Sequence, residues 1–503
     1  MRCSRCWSVT WPTCKCSTVW CVTATARRWS GCFAVPTRLA RSSCACWSNS
    51  APARAVRIVC FSGVAILSNV VFELKPGGAV RGRFRVPGDK SVSHRAVMLG
   101  ALAEGVTEVQ GFLEGEDALA TLATFRALGV RIDGPEQGRL RIHGVGLHGL
   151  RAPAEPLYLG NSGTTMRLLS GLLAGQSFDC TLTGDHSLSV RPMRRVTEPL
   201  ARMGARIDTT DAGTAPLRIH GGTPLKGIDY ALPVASAQVK SALLLAGLYA
   251  EGETRVTEPA PTRDHTERML AGMGYAVRRD GASVSLRGGG KLRAASIDVP
   301  ADISSAAFFL VAASIAEGSD LTLEHVGMNP TRTGVVDILK LMGADIDVLN
   351  PREVGGEPVA DLRVRHAPLR GVQIPEELVP LAIDEFPVLF VAAACAQGET
   401  LLTGAEELRV KESDRIAVMA EGLRTLGADA EPTPDGMRIR GGGLGGGTVH
   451  SHSDHRIAMS FAVASLRAQA PIRIEDCANV NTSFPGFVAL AREAGLNIEQ
   501  GPA

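Results

Sequence analysis

Leu128-Gly129-Val130-Arg131-Ile132-Asp133 joins the end of an apolar helical stretch to an alternating run, and the same signature returns five more times. The copies are Met203-Gly204-Ala205-Arg206-Ile207-Asp208, Met273-Gly274-Tyr275-Ala276-Val277, Met342-Gly343-Ala344-Asp345-Ile346-Asp347, Leu426-Gly427-Ala428-Asp429-Ala430 and Ala494-Gly495-Leu496-Asn497-Ile498-Glu499. Each glycine stands just after a helix, where the backbone turns left-handed and a Cβ would be strained. The alternation that follows is that of a half-buried strand. Successive glycines lie 75, 70, 69, 84 and 68 residues apart, too long a period for a solenoid. The spacing predicts an α/β protein of six βαβ-type units, three to a domain.

Outward from these repeats the chain divides into two unlike parts. Residues 1–72 contain no Asp or Glu, yet hold nine of the 12 Cys and all five Trp. Three readings of this extension compete. It is rich in Arg and Ser and lacks acids, as a transit peptide is. Cys3/Cys6, Cys14/Cys16 and Cys44/Cys46 suggest a zinc or disulfide module, but no paired C-x-x-C spacing supports a metal. The reading we favour is upstream DNA translated from a misplaced start, since no Met lies between Met1 and Met98 and a non-ATG start would fall at Val70 or Val71. The remainder keeps only Cys180, Cys395 and Cys477, which read as small buried hydrophobes in a reducing compartment. A net charge of +2 gives no case for nucleic acid or an acidic membrane surface. No apolar run reaches the ~18 residues of a membrane span.

Several motifs put cations and hydroxyls at helix starts, where free N–H groups and the helix dipole attract anions. They are Pro87-Gly88-Asp89-Lys90-Ser91-Val92-Ser93-His94-Arg95, with Ser91 or Ser93 as a cap; Gly160-Asn161-Ser162-Gly163-Thr164-Thr165-Met166-Arg167; and Arg191-Pro192-Met193-Arg194-Arg195. Ser236-Ala237-Gln238-Val239-Lys240-Ser241 and Thr262-Arg263-Asp264-His265-Thr266-Glu267 follow. In Lys411-Glu412-Ser413-Asp414-Arg415 the two cations are spaced i, i+4, a like-charge pair on one helical face that a bound anion would offset. Glu412 between them should stay ionised until a substrate neutralises its neighbours. Ser453-Asp454-His455-Arg456 opens another helix, where Arg456 could grip a carboxylate. Asp384 precedes an apolar run, as an N-cap would. Each motif alone fits an ordinary capped helix. Together they suit a small polyanionic substrate held between domains.

In order and spacing these segments resemble the 5-enolpyruvylshikimate-3-phosphate synthase family along residues 73–503. The likeness is greatest to its class II, glyphosate-tolerant subgroup, through Gly88-Asp89-Lys90, Ser236-Ala237-Gln238-Val239-Lys240, Arg263-Asp264-His265-Thr266-Glu267 and Asn329-Pro330-Thr331-Arg332. The resemblance implies the two-domain enolpyruvyl transferase fold, each domain three βαβαββ units with pseudo-threefold symmetry. Residues 73–88 plus 302–503 would form domain one, residues 89–301 domain two, with the active site in the cleft between them. It implies transfer of the enolpyruvyl group of phosphoenolpyruvate to the 5-hydroxyl of shikimate 3-phosphate, releasing phosphate, in aromatic amino-acid biosynthesis. No cofactor or metal is implied, and a cytoplasmic monomer is expected.

Carried over by resemblance, Asp384, Glu412 and Lys90 are the catalytic candidates. Lys90, Ser91, Arg95, Ser236, Ala237, Gln238, Arg263, Asp384 and Lys411 would surround shikimate 3-phosphate. Lys90, Gly163, Arg191, Gln238, Arg415 and Arg456 would hold phosphoenolpyruvate. Two departures stand out. Asn481-Thr482-Ser483-Phe484-Pro485 lacks a Lys that some members carry there. Gly163 replaces the Ala of many class II members, so weaker glyphosate tolerance than in Ala-bearing members is expected. The rivals are the sister transferase acting on UDP-N-acetylglucosamine and a non-catalytic repeat scaffold. The first typically has a loop Cys, and Gly184–Pro192 has none. Protein from the native host should begin near residue 70; a mature chain retaining residue 1, by terminal mass, would refute the misplaced start.

Overall fold

A computed structural model describes residues 70–502 and, before them, two short strands, Cys32–Ala34 and Cys44–Cys46, which pair antiparallel. The chain separates into two compact units, Met1–Ile66 and Leu67–Ala503. The expectations for the extension and its cysteine side chains lie outside the described residues.

All six signature glycines adopt the left-handed backbone expected of them, with φ of 88° at Gly129, 100° at Gly204, 81° at Gly274, 94° at Gly343, 85° at Gly427 and 119° at Gly495. Each is followed by a strand: Arg131–Glu136, Arg206–Asp208, Val277–Asp280, Asp345–Val354, Asp429–Thr433 and Ile498–Pro502. The strands of residues 70–502 form six small sheets. Five share one pattern, a parallel edge strand followed by antiparallel neighbours; for example Ser296–Asp298 runs parallel to Glu104–Gln110, which pairs antiparallel with Arg139–Val145. The sixth, Glu399–Leu402 with Gly436–Arg440 and Asp429–Thr433, has the isolated parallel bridges Arg370–Gln397 and Gln373–Leu401 in place of the edge strand.

Two hydrophobic cores fill the unit. One runs from Phe72 to Val86 and from Ala301 to Ile498; the other runs from Val92 to Val299. The chain therefore passes between them twice, near residues 87–91 and near residues 299–301. At these passages Asp89 N–H donates to Pro300 O (2.7 Å) and Asp302 N–H to Pro87 O (2.9 Å).

Three helices occupy the middle of each core. Ile303–Ile315, Phe386–Cys395 and His455–Ala464 pack on one another in the first. Lys90–Leu102, Gly163–Ala174 and Ala237–Gly247 lie in the second. Every residue of Ile303–Ile315 is buried, because sheets and helices cover all its faces and its sequence has no polar stripe. Burying side chains such as Phe309 or Leu310 there is worth about 1.5–3 kcal/mol each. No helix among the described residues is long and apolar enough to cross a membrane. Cys180 and Cys477 are buried and Cys395 partly so, all three unpaired.

Helix starts differ in detail from the sequence expectation. Lys90–Leu102 is capped by Asp89, which accepts from Val92 N–H at 2.8 Å, and not by Ser91 or Ser93; Ser93 instead accepts from Leu113 N–H at 3.0 Å. Asp89 accepts from the third residue of the helix, and so Lys90 is its first residue.

Three buried histidines, His94, His265 and His455, lie in these cores. Burial, then the field of Lys90, holds both His94 and His455 neutral: His94 well below its usual range, His455 down to about 3. Unfolded histidine takes a proton near pH ~6.5. Below that the unfolded chain binds more protons than the folded one, so stability falls with pH in this window. Urea midpoints should drop between about pH 7 and pH 5, less steeply in His455→Gln; an unchanged slope in the variant would contradict the assignment. For the glycine signature, a Cβ placed on Gly427 would meet nothing within 4 Å, so Gly427→Ala isolates backbone strain. A loss of about 1 kcal/mol in equilibrium unfolding is expected, and no measurable loss would sink the argument.

Candidate active site

The starts of five of the six buried helices carry motifs singled out in the sequence; the start of Ile303–Ile315 was not among them. Lys90 begins one helix, Gly163 a second, and Ala237 a third behind its Ser236 cap, whose Oγ accepts from Val239 N–H at 3.4 Å. Asp302 caps the fourth, Asp384 lies just before the fifth, and Asp454 caps the sixth, in which Arg456 is the second residue. A helix enclosed on all sides leaves its first N–H groups without partners at this end, which is also its positive end.

Asp384 is the centre of one cation cluster. Arg263 reaches it from the second core, while Lys411 Nζ and Arg415 Nη1 each lie 3.3 Å from its Oδ1. Arg456 Nη1 donates to the Asp384 carbonyl at 3.0 Å. Burial opposes ionisation of Asp384, but Lys411, Arg263, Arg456 and Arg415 outweigh it and hold the carboxyl well below its ordinary value. Asp384 does not cap the helix that follows; that place falls to Glu385, which makes no side-chain cap.

Glu412 forms the second cluster. Arg415 Nη2 donates to its Oε2 at 2.6 Å, and Arg191 Nη1 stands 4.0 Å from its Oε1. Burial again opposes the charge, yet Arg415 and Arg191 keep Glu412 well below the usual carboxylate range. Arg415 is fully buried and links both carboxylates; behind it Asp454 Oδ2 lies 2.8 Å from Nε. The expectation that Lys411 and Arg415 share a helical face is corrected. Asp414 caps the helix Arg415–Thr425, so Lys411 lies before it, and the two cations converge on Asp384 from different backbone segments.

Lys90 Nζ lies 2.5 Å from Asp117 Oδ2 and donates to Ser483 Oγ at 2.7 Å. The stretch that lacks the Lys thus contributes Ser483 as a contact of the catalytic candidate Lys90. Burial raises the Asp117 carboxyl despite Lys90, and the charges of Glu412 and Arg191 reach it. Arg191 also donates to Asn161 Oδ1 (2.6 Å) and Ser187 Oγ (3.0 Å). A Cβ on Gly163 would come within 3.1 Å of Arg191 Nη1 and 3.4 Å of Arg167 Nη1. Arg167 donates to Gln238 Oε1, and Gln238 Nε2 to Thr164 Oγ1 at 3.0 Å.

Lys90, Arg191, Asp384, Glu412 and Arg456 thus come together, drawn from both cores. Arg95 does not join their contacts. It is buried, with Nε on Thr266 Oγ1 (2.7 Å) and Nη2 on Ser241 Oγ (2.9 Å), and its third partner is the Ser91 carbonyl (3.0 Å). Burial lowers its pKa to about 10. Ser91 and Ala237 are half-buried first-turn residues of their helices.

Sequence reasoning gave no role to Asp117, Asn161, Arg167, Arg332 or Asp454. Asp117 follows Glu116 in a first helical turn, where acids are ordinary, and Asn161 lies in a glycine-rich loop. The partners of Asp117 and Arg332 come from other segments of the chain, Lys90 for Asp117, and Asp89 and Asp302 for Arg332, so no local signal marks them. A further ion pair crosses between the cores: Arg195 Nη1 lies 2.9 Å from Glu407 Oε1.

Chemically, the cluster offers two ionised carboxylates, each ringed by cations, beside a lysine. An incoming polyanion would compete for those cations and raise the carboxylate pKa values, readying one to take up a proton.

Residues 74–490 match the family model for EPSP synthase (3-phosphoshikimate 1-carboxyvinyltransferase). The chain is 77% identical over 433 residues to the 3-phosphoshikimate 1-carboxyvinyltransferase of Alkalilimnicola ehrlichii, covering 86% of this chain and 97% of that one. It is 74% identical over 431 residues to the enzyme of the same name from Methylococcus capsulatus, covering 86% and 99%. Among solved structures, EPSP synthase from Acinetobacter baumannii superposes with a TM-score of 0.78 at 60% identity, over 86% of this chain and 100% of that chain. The enolpyruvyl transferase NikO from Streptomyces tendae shares the fold, with a TM-score of 0.69 at 16% identity over 87% and 100% of the two chains. With the repeated units, the gathered cations and these matches in agreement, the chain belongs to the EPSP synthase family, the 3-phosphoshikimate 1-carboxyvinyltransferases.

Proposed function

We propose that Asp384, Glu412 and Lys90 handle the protons of enolpyruvyl transfer in this chain, in a cleft between two domains that close on substrate. The reaction moves the enolpyruvyl group of phosphoenolpyruvate to the 5-hydroxyl of shikimate 3-phosphate and releases phosphate. Asp384, ionised among its cations, takes the hydroxyl proton as the oxygen attacks C2. Glu412 takes up a proton from solvent once bound anions draw off its cations, and delivers it to C3, giving a tetrahedral adduct. Phosphate then leaves with the help of Lys90 and carries away the hydroxyl proton that Asp384 had taken, and C3 returns its proton to Glu412. The single observation that carries this reading is Arg415, which joins Asp384 to Glu412 and so places two carboxylates in one cationic field.

Shikimate 3-phosphate would lie against Lys90, Ser91, Arg95, Ser236, Ala237, Gln238, Arg263, Asp384 and Lys411. Arg95, three of whose five N–H groups hold Thr266, Ser91 and Ser241, would act there by keeping Ser91 and the helix starts in place. Phosphoenolpyruvate would lie against Lys90, Gly163, Arg191, Gln238, Arg415 and Arg456. An Ala at 163 would press on Arg191, which is the basis for proposing weaker glyphosate tolerance here than in Ala-bearing relatives. Because one chain supplies every group, we propose a monomer; the unpaired thiols of Cys180, Cys395 and Cys477 favour the cytoplasm.

Purified protein should release phosphate only when both substrates are present, and Glu412→Ala should lower kcat by ~10² or more. Release with UDP-N-acetylglucosamine in place of shikimate 3-phosphate would move the assignment to the sister transferase. Full turnover by Glu412→Ala would remove that residue from the chemistry.

A further inference from the structure

Arg332 stands where the two passages of the chain meet. It is 3% exposed, and four of its five N–H groups have partners. Nη1 lies 3.1 Å from Asp89 Oδ2 and 3.4 Å from His265 Nε2. Nη2 lies 3.1 Å from Asp302 Oδ1 and 2.6 Å from Ser304 Oγ. The two carboxylates belong to the first and second passages. Asp89 caps the helix that begins with Lys90, and Asp302 Oδ2 accepts from the Lys90 backbone N–H at 3.4 Å. On the other side, Ser304 Oγ donates to Glu385 Oε1, and Glu385 follows Asp384 directly. Glu385 also lies 3.6 Å from Arg456. One guanidinium thus connects the residue before Lys90 to the residue after Asp384.

Its surroundings are built to hold it still. His265 Nε2 accepts from Arg332, which leaves its Nδ1–H to donate to Glu357 Oε1 at 2.8 Å. Asn329, three residues before Arg332, bridges Asp264 Oδ1 (2.7 Å) and Glu357 Oε2 (3.0 Å). Asp264 and His265 belong to the second core, and Asn329, Arg332 and Glu357 to segments of the first. The motif Arg263-Asp264-His265 therefore meets Asn329-Pro330-Thr331-Arg332 across the joint. Burial raises the Asp302 carboxyl, helped by Asp89, whereas at Asp89 burial is outweighed by Arg332 together with its other neighbours, which hold the carboxyl down to about 2. A buried charge so paired makes a stiff joint, because losing one partner strands the other.

We propose that Arg332 is a positioning residue for enolpyruvyl transfer: through Asp89 and Asp302 on one side and Ser304–Glu385 on the other, it sets the distance between Lys90 and Asp384. This rests on the reading of those two residues as proton-handling groups. Arg332 touches no substrate; it fixes a gap that the reaction must span. A displacement of the order of ~1 Å between reacting groups can cost orders of magnitude in rate without weakening ground-state binding.

The test uses the full chain with Ser304→Ala, which cuts the link to Glu385 and removes no charge, and Arg332→Lys, which keeps the charge but loses the fork. Thermal unfolding, kcat and KM for both substrates are measured on each. Ser304→Ala should lose roughly tenfold or more in kcat, and Arg332→Lys roughly a hundredfold, with KM values within about threefold of the parent. The melting temperature of Ser304→Ala should stay near that of the parent. If Arg332→Lys fails to fold, Ser304→Ala alone decides. Retention of kcat within about twofold in Ser304→Ala overturns the proposal. A loss that appears mainly in KM, or that tracks a fall in melting temperature, overturns it too, since a merely structural role would act that way. Lys90→Met and Asp384→Asn run alongside: if these keep full turnover, the functional reading fails instead.

Discussion

A helix buried on every side can offer polar chemistry only at its ends, and this constraint organises the molecule. Ile303–Ile315 and its counterparts have no solvent face on which to place a charge. Their first turns therefore carry the cations, hydroxyls and capping carboxylates. The three-unit repetition in each core brings three such ends together, and the joining of the cores sets one trio opposite the other. Anion affinity then arises from architecture before any single side chain is considered, because unpaired N–H groups and aligned dipoles already favour negative charge.

The carboxylates within this field have two tasks. While no substrate is bound they satisfy the cations, as Asp384 does for Lys411 and Arg263 and Asp454 does for Arg415. An arriving anion would take over part of that pairing, and the carboxylates would become better bases. In the proposed mechanism the same electrostatics serves both the resting structure and the reaction. Arg415 shows the limit of such sharing: with no exposed surface, it can only be held by protein groups, and three carboxylates hold it.

The fold was legible in the sequence to the extent that one physical demand allowed only one residue. A left-handed backbone after a helix selects glycine, and six regularly spaced glycines disclosed six units. Helix starts were less legible because several residue types can cap. Asp89 and Ser91 both qualify by type, and nothing local in the sequence separates them. Lys411 and Arg415 had helical spacing, but spacing does not say where a helix begins, and Asp414 starts it between them. The site was legible as a set of motifs at helix starts. Its internal pairings were not, since Lys90 finds Asp117 and Ser483, and Arg263 finds Asp384, across separations that leave no local trace. Arg332 lay within a recognised motif, yet its work became visible only once Asp89 and Asp302 stood on either side of it.

The double passage between cores also has a consequence for synthesis. Strand Val70–Leu74 is made early, yet its partners are Ile472–Glu475 and Ile498–Pro502 near the other end of the chain. Glu73 and its ion-pair partner Arg473 are 400 positions apart. The core spanning Val92 to Val299 is contiguous and can condense as soon as it leaves the ribosome. The opening strand must wait for the rest, roughly 20 to 80 seconds at ordinary elongation rates, with its edges unpaired. From the time Val299 emerges until the last strands are made, the nascent chain is a finished lobe with a sticky leader, open to unwanted pairing.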